Sequence, residues 1–126
     1  MRFIFLLSFV FLFACTPQSN LRDNLSGKWN MVAVKIYEED ANPTLNPTGD
    51  RWLSFQTDGT FTSGSGAVQE NAGKYTLDEL THALSLDSDA GPGDDSDWTV
   101  TLKSDTLLMR GVGTPRQENS EVILVR

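Results

Sequence analysis

Phe55-Gln56-Thr57-Asp58-Gly59-Thr60-Phe61 reads as two short strands joined at Asp58-Gly59. Asp-Gly accepts the positive φ of a tight hairpin turn, so the chain reverses here within two residues. Upstream, Leu53 and Phe55 share a face. Period two marks a strand with one buried face. The same pattern continues outward on both sides. Trp98, Val100 and Leu102 alternate with Thr99, Thr101 and Lys103, while Leu80, His82, Leu84 and Leu86 share a parity. Strands are expected at 28–37, 51–57, 60–65, 73–77, 81–87, 97–103, 106–111 and 120–126. No stretch of ten or more residues after residue 26 has helical period. The fold class is therefore all-β, either a sandwich or a barrel.

The connections separate these two. Thr57–Thr60, Asp78–Leu80 and Ser104–Asp105 are short, whereas 38–50, 66–72, 88–96 and 112–119 are long. Long and short links alternate. In an antiparallel up-and-down meander, alternate links lie at opposite ends. The pattern therefore predicts an eight-stranded barrel with tight turns at a closed base and long loops around a mouth.

Ahead of the strands, Arg2 precedes an apolar run from Phe3 to Phe13, followed by Ala14-Cys15. A basic residue, a short apolar block and a small residue make a secretory signal, and the block is too short to span a bilayer. Leu12-Phe13-Ala14-Cys15 resembles the lipobox of bacterial lipoproteins. The resemblance implies that residues 1–14 are a signal peptide and that Cys15 is lipidated at its sulfur and new amino group. Cys15 is the sole cysteine, so the mature chain has no thiol for a disulfide or a cysteine metal site. Residues 15–26 are expected to be a lipidated tether and 27–126 the barrel domain. Leu21 and Leu25, four apart, fit one side of a single helical turn. Thr16 after the cysteine resembles lipoproteins sent on to an outer membrane. The expected location is the cell envelope, with the membrane as partner through Cys15.

The full chain carries ten Lys+Arg against 17 Asp+Glu, a formal charge of −7. That balance argues against nucleic-acid binding. Twelve of the 17 acids fall on the long loops and their flanking strand ends, among them Glu38, Glu39, Asp40 and Asp50. Only Arg51 and Arg116 among the basic residues fall at the same end. A mouth ringed by carboxylates repels anions, so a ligand there is expected to be neutral or cationic.

Gly27-Lys28-Trp29 opens the first strand as Gly-x-Trp does in lipocalins. Gly73-Lys74-Tyr75-Thr76-Leu77, Trp98-Thr99-Val100-Thr101-Leu102 and the 55–61 phrase are similar to lipocalin-like domains of small bacterial envelope lipoproteins. The resemblance covers 21–126. It implies a calycin-like barrel, a first loop (38–50) that caps the mouth, and Trp29 at the closed base. It also implies an arginine of the last strand over that tryptophan, a structural role that falls to Arg126. A frayed C-terminal residue is the other reading of Arg126.

Three side chains are candidates for ligand contact. Lys35 and Tyr37 share the parity of Trp29 and Met31 and lie toward the mouth. The opposite face (Val32, Val34, Ile36) is equally apolar, and a bulge would exchange the two. His82, the sole histidine, shares parity with Leu84 and Leu86 and reads as a polar anchor in the cavity or as an ordinary strand histidine. Asp87, Asp89, Asp94, Asp95 and Asp97 crowd one loop. They are weak cation candidates, because the EF-hand positions fail at Gly91, Pro92 and Trp98. No metal site is expected beyond them. No catalytic or phosphate-loop motif is present, so a non-enzyme without a cofactor is expected. Two functions remain open. One is a barrel binding a small apolar ligand. The other is a protein–protein interaction or inhibitor module whose barrel is filled by Trp29, Phe55, Phe61, Tyr75 and Trp98. A cavity of roughly 300 Å³ or more would favour the ligand.

Overall fold

A computed structural model describes residues 20–126. The expected signal peptide (1–14) and Cys15 lie outside the described residues. The elements are α1 (Leu21–Leu25), β1 (Gly27–Ile36), β2 (Glu39–Asp40), α2 (Asn42–Leu45), β3 (Arg51–Phe55), β4 (Thr60–Ser65), β5 (Val68–Leu77), β6 (Ala83–Ser88), β7 (Ser96–Lys103), β8 (Thr106–Val112), α3 (Pro115–Glu118) and β9 (Ser120–Val125). A 3-10 turn, Pro92–Asp94, lies between β6 and β7.

Every neighbouring pair is antiparallel, and β9 pairs back onto β1 from Asn30↔Val125 to Ile36↔Ser120. That pairing closes an eight-stranded up-and-down barrel, with two-residue β2 as an extra strip on the end of β1. Closure leaves no long sheet edge. The Asp58-Gly59 turn forms as its sequence requires: Gly59 has φ +89°, and Asp58 Oδ1 accepts from the Thr60 amide at 3.0 Å.

One connection departs from the expected pattern. Residues 66–72 are not a long loop. Gly66-Ala67 is a tight turn, and β5 begins at Val68, five residues earlier than expected. Val68, Gln69 and Glu70 are exposed on both faces, where the β4–β5 ribbon rises past the core. A strand with no buried face carries no hydrophobic alternation, so its sequence resembles a loop.

The lower barrel is filled. Trp29, Phe55, Leu84, Val100, Leu107 and Leu124 are almost wholly excluded from solvent. Phe55 and Tyr75 pack edge to face, with centroids 5.2 Å apart. The Tyr75 hydroxyl escapes burial without a partner by donating to the Gln56 carbonyl at 2.6 Å.

α1 plugs the base. Leu25 is fully buried, and its carbonyl accepts from Trp29 Nε1 at 2.8 Å. The exposed N-terminal amides of Leu21 and Arg22 donate to the two oxygens of Glu79, at 2.9 and 3.1 Å. Asn20 Oδ1 takes the Asp23 amide at 2.8 Å. These are the donors a helix start leaves orphaned. Residues 21–26, read from sequence as part of a tether, are thus packed onto the barrel. The i, i+4 leucine pair is what lets one turn of helix bury an apolar side.

Candidate functional site

The mouth is built around a change in β1. The lower half of β1 pairs with β3 from Gly27↔Phe55 to Asn30↔Trp52, and then the two strands part. A register shift between Met31 and Ala33 follows. Above it, the edge that β3 has left is served by the 37–50 connection. Asn46 Nδ2 donates to the Met31 carbonyl at 3.1 Å, and the Val34 amide donates to Asn42 Oδ1 at 3.1 Å. The Ala41 amide donates to the Val34 carbonyl at 2.8 Å. Asn46 is buried, and its Oδ1 also accepts from the Arg51 amide at 3.1 Å. Two asparagine side chains therefore stand in for a missing strand, and they hold α2 over one side of the mouth.

The parting of β1 and β3 opens a cavity of about 210 Å³. Its apolar wall is Met31, Val34, Ile36, Leu45, Trp98 and Val122, and its polar members are Arg51 and Ser120. Arg51 begins β3 with the parity of buried Leu53 and Phe55, so its side chain turns inward. Arg51 Nη1 donates to the Leu45 carbonyl at 2.9 Å. Among the described residues, Arg51 has no carboxylate within ion-pair distance.

The bulge decides the fate of two expected ligand contacts. Beyond it, Val34 is buried and Lys35 is exposed on the outside. Lys35 lines an open outer groove of about 560 Å³ with Glu38, Arg110 and Glu121. Tyr37 is 57% exposed and sits in a left-handed turn, φ +51°. His82 is also exposed. It ends the Asp78–His82 turn with φ +61° and precedes β6 instead of lying in it. The shared parity with Leu84 and Leu86 stops at the strand start, so it gives His82 no inward direction. None of the three lines the mouth cavity.

Asp87, Asp89, Asp94, Asp95 and Asp97 are all exposed. Asp95 Oδ1 accepts from the Ser88 amide at 2.8 Å, and Asp97 Oδ1 from Ser85 Oγ at 2.7 Å. The first bond shapes the β6–β7 connection, and the second joins directly paired residues of β6 and β7. Among the described residues, no three His, Asp or Glu side chains group as metal ligands.

At the opposite end, Arg126 packs over Trp29, 4.3 Å from its ring centre. Nearby, Asp58 and Asp78 have carboxyls held below the ordinary range. For Asp58 the main cause is the hydrogen bond from the Thr60 hydroxyl, and for Asp78 it is the amides of Thr81 and Leu80.

Arg51 and Asn46 carry the mouth and were not singled out as site residues from the sequence. Arg51 had one legible sign, its alternation with Leu53 and Phe55. Asn46 had none, because its role depends on where β1 and β3 separate.

No family model and no curated protein matches the sequence. Solved structures do match the fold. A lipocalin-like protein from Bacteroides uniformis superposes with a TM-score of 0.59 at 15% identity, covering 82% of this chain and 98% of that one. A DUF4847 family protein from Bacteroides vulgatus gives 0.55 at 14% identity, covering 80% and 92%. At such identities the shared property is the architecture: this chain folds as a lipocalin-like antiparallel β-barrel.

Proposed function

We propose that this protein is a lipid-anchored envelope lipoprotein whose barrel binds a small, mainly apolar molecule at its mouth. The observation that carries the reading is the apolar cavity walled by Met31, Val34, Ile36, Leu45, Trp98 and Val122. An apolar recess with a few polar groups is the usual form of a small-ligand site. Its volume, about 210 Å³, falls short of the roughly 300 Å³ expected of a cavity for a whole small ligand. The ligand is therefore small, or only its apolar end enters. The exposed acids around the mouth favour a neutral or cationic ligand over an anion on approach. The lipobox resemblance at Cys15 supports the anchor, and Thr16 supports an outer-membrane address.

The same volume favours a second reading, a protein–protein interaction module whose mouth and loops touch a partner. A native mass spectrum of the protein purified from its own host separates the two. A retained mass of a few hundred daltons supports the ligand. A stoichiometric protein partner, with no small mass, supports the module and overturns the ligand reading.

A further inference from the structure

We infer that Arg51 is the specificity-determining residue of the mouth cavity, selecting an apolar ligand that ends in a hydrogen-bond acceptor and rejecting one that ends in a cation. The inference rests on the ligand reading above and narrows it.

Arg51 points inward on the face it shares with Leu53 and Phe55, into a wall that is otherwise apolar except for Ser120. A guanidinium offers five N–H donors in a fixed plane and stays protonated at any physiological pH. One donor goes to the Leu45 carbonyl at 2.9 Å. No carboxylate among the described residues neutralises the charge. A half-buried cation is costly unless hydrogen-bonded. Because Arg51 lines the recess, its remaining donors are available to whatever fills it: water when it is empty, a ligand acceptor when it is not. Replacing water by a second cation would place like charges together in a site less polar than water, where their repulsion is strong. A carbonyl, ether or carboxylate oxygen meets the opposite situation.

Arg51 and the acidic rim act at different ranges. The rim acids are exposed, and their field is screened over roughly 8 Å at physiological salt. They govern approach. Arg51 touches the occupant and governs the bound state. A ketone thus passes both filters. A carboxylate is slowed by the rim and held by Arg51. An ammonium is drawn in by the rim and refused by Arg51.

The test uses the full chain carrying Cys15→Ala, titrated with octan-2-one, octanoate and octylammonium and followed by tryptophan fluorescence, since Trp98 lines the cavity. The ketone is expected to bind at least about tenfold tighter than the ammonium, and octanoate binding is expected to strengthen with salt as the rim is screened. Arg51→Met keeps the bulk and removes the donors, and should bring the ketone-to-ammonium ratio within about twofold while still binding the ketone. If Arg51→Met does not give a native near-ultraviolet spectrum, Arg51→Gln serves. It keeps neutral donors and should raise ammonium affinity with little loss of ketone affinity. Binding of all three probes at ratios that neither substitution changes overturns the inference and leaves the ligand reading standing. Tighter binding of octylammonium than of the ketone by the unsubstituted Arg51 chain also overturns it. No binding of any probe overturns the ligand reading itself, and this inference with it.

Discussion

The guanidinium of Arg126 stacks 4.3 Å from the ring centre of Trp29, joining the residue that follows β9 to the third residue of β1. The same side chain donates from Nη1 to the Ser26 carbonyl at 3.1 Å and lies 3.6 Å from Asp105 Oδ1. It thereby ties β9, the α1–β1 junction and the β7–β8 turn together beneath the barrel. Trp29 is fully buried. Trp29→Ala should cost roughly 3–5 kcal/mol as a large-to-small core change, enough to bring a marginally stable domain close to unfolding. Arg126→Ala should cost about 0.5–2 kcal/mol, the range of a cation–π contact. Urea titration of the two single variants and the double variant gives both costs and their coupling. A loss below about 1 kcal/mol for Trp29→Ala would show that the base does not depend on this ring.

The base plug should be separable from the barrel. Leu25→Ala removes a fully buried side chain and should cost roughly 2–5 kcal/mol. Glu79→Gln weakens the acceptor for the Leu21 and Arg22 amides. The change lies at the surface and should cost only about 0.5–1 kcal/mol. Amide hydrogen exchange should quicken in residues 21–25 of the Glu79→Gln protein and stay unchanged in β4 and β8. Uniform quickening across the barrel would mean that the plug does not open as a local unit.

Gly73 marks a close approach of two strands. A Cβ there would lie 2.1 Å from the Asp87 carbonyl oxygen and 2.9 Å from the ring of Phe61. Backbone on one side and a buried ring on the other leave no easy escape. Gly73→Ala should therefore cost about 1–3 kcal/mol by overpacking. Gly93→Ala, with open space around it, is the matched control and should change stability by less than about 0.5 kcal/mol.

Acid should loosen the base turns. Asp58 and Asp78 have folded-state pKa values below their ordinary value of 3.8. A depressed carboxylate contributes stability that is present above its unfolded pKa and is lost as pH falls through the folded pKa. The contribution is therefore full at pH 5–7 and fades below about pH 4. Asp58→Asn with Asp78→Asn removes both titrations, and Asn-Gly retains the hairpin turn. The urea midpoint of the double variant should fall less steeply between pH 4 and pH 2 than that of the unsubstituted chain. Equal slopes would remove these two groups from the account.

Anchoring is tested apart from folding. In protein extracted from membranes, intact mass should show residues 1–14 removed and acyl chains on Cys15. Two or more chains suffice for stable attachment, at about 0.8 kcal/mol per buried CH₂. Cys15→Ala should leave the barrel folded by circular dichroism and release it from the membrane fraction. An unmodified Cys15 in membrane-extracted protein would refute the anchor.

Strand identity and turn chemistry were legible in the amino-acid sequence, because each depends on residues within about ten positions of one another. The barrel was legible from the order of links along the whole chain, although the 66–72 link is shorter than that order required. Alternation around Leu53–Phe55 and Trp98–Leu102 marks half-buried strands, Asp58-Gly59 marks the hairpin, and Leu21 with Leu25 marks the helical turn that becomes the plug. What only the tertiary structure decided is where long-range pairing begins and ends. The bulge at Met31–Ala33 turns Lys35 outward, and the Asp78–His82 turn runs on to His82 before β6 begins at Ala83, which leaves His82 in solvent. The upper half of β5 forms without any hydrophobic pattern, because its pairing with β4 supplies backbone bonds and no core face. The separation of β1 from β3 creates the mouth cavity and brings Asn46, Leu45 and Arg51 together. These features arise from register between segments far apart in sequence. A one-residue shift of register reverses the direction of every side chain on a strand, and local composition does not encode it.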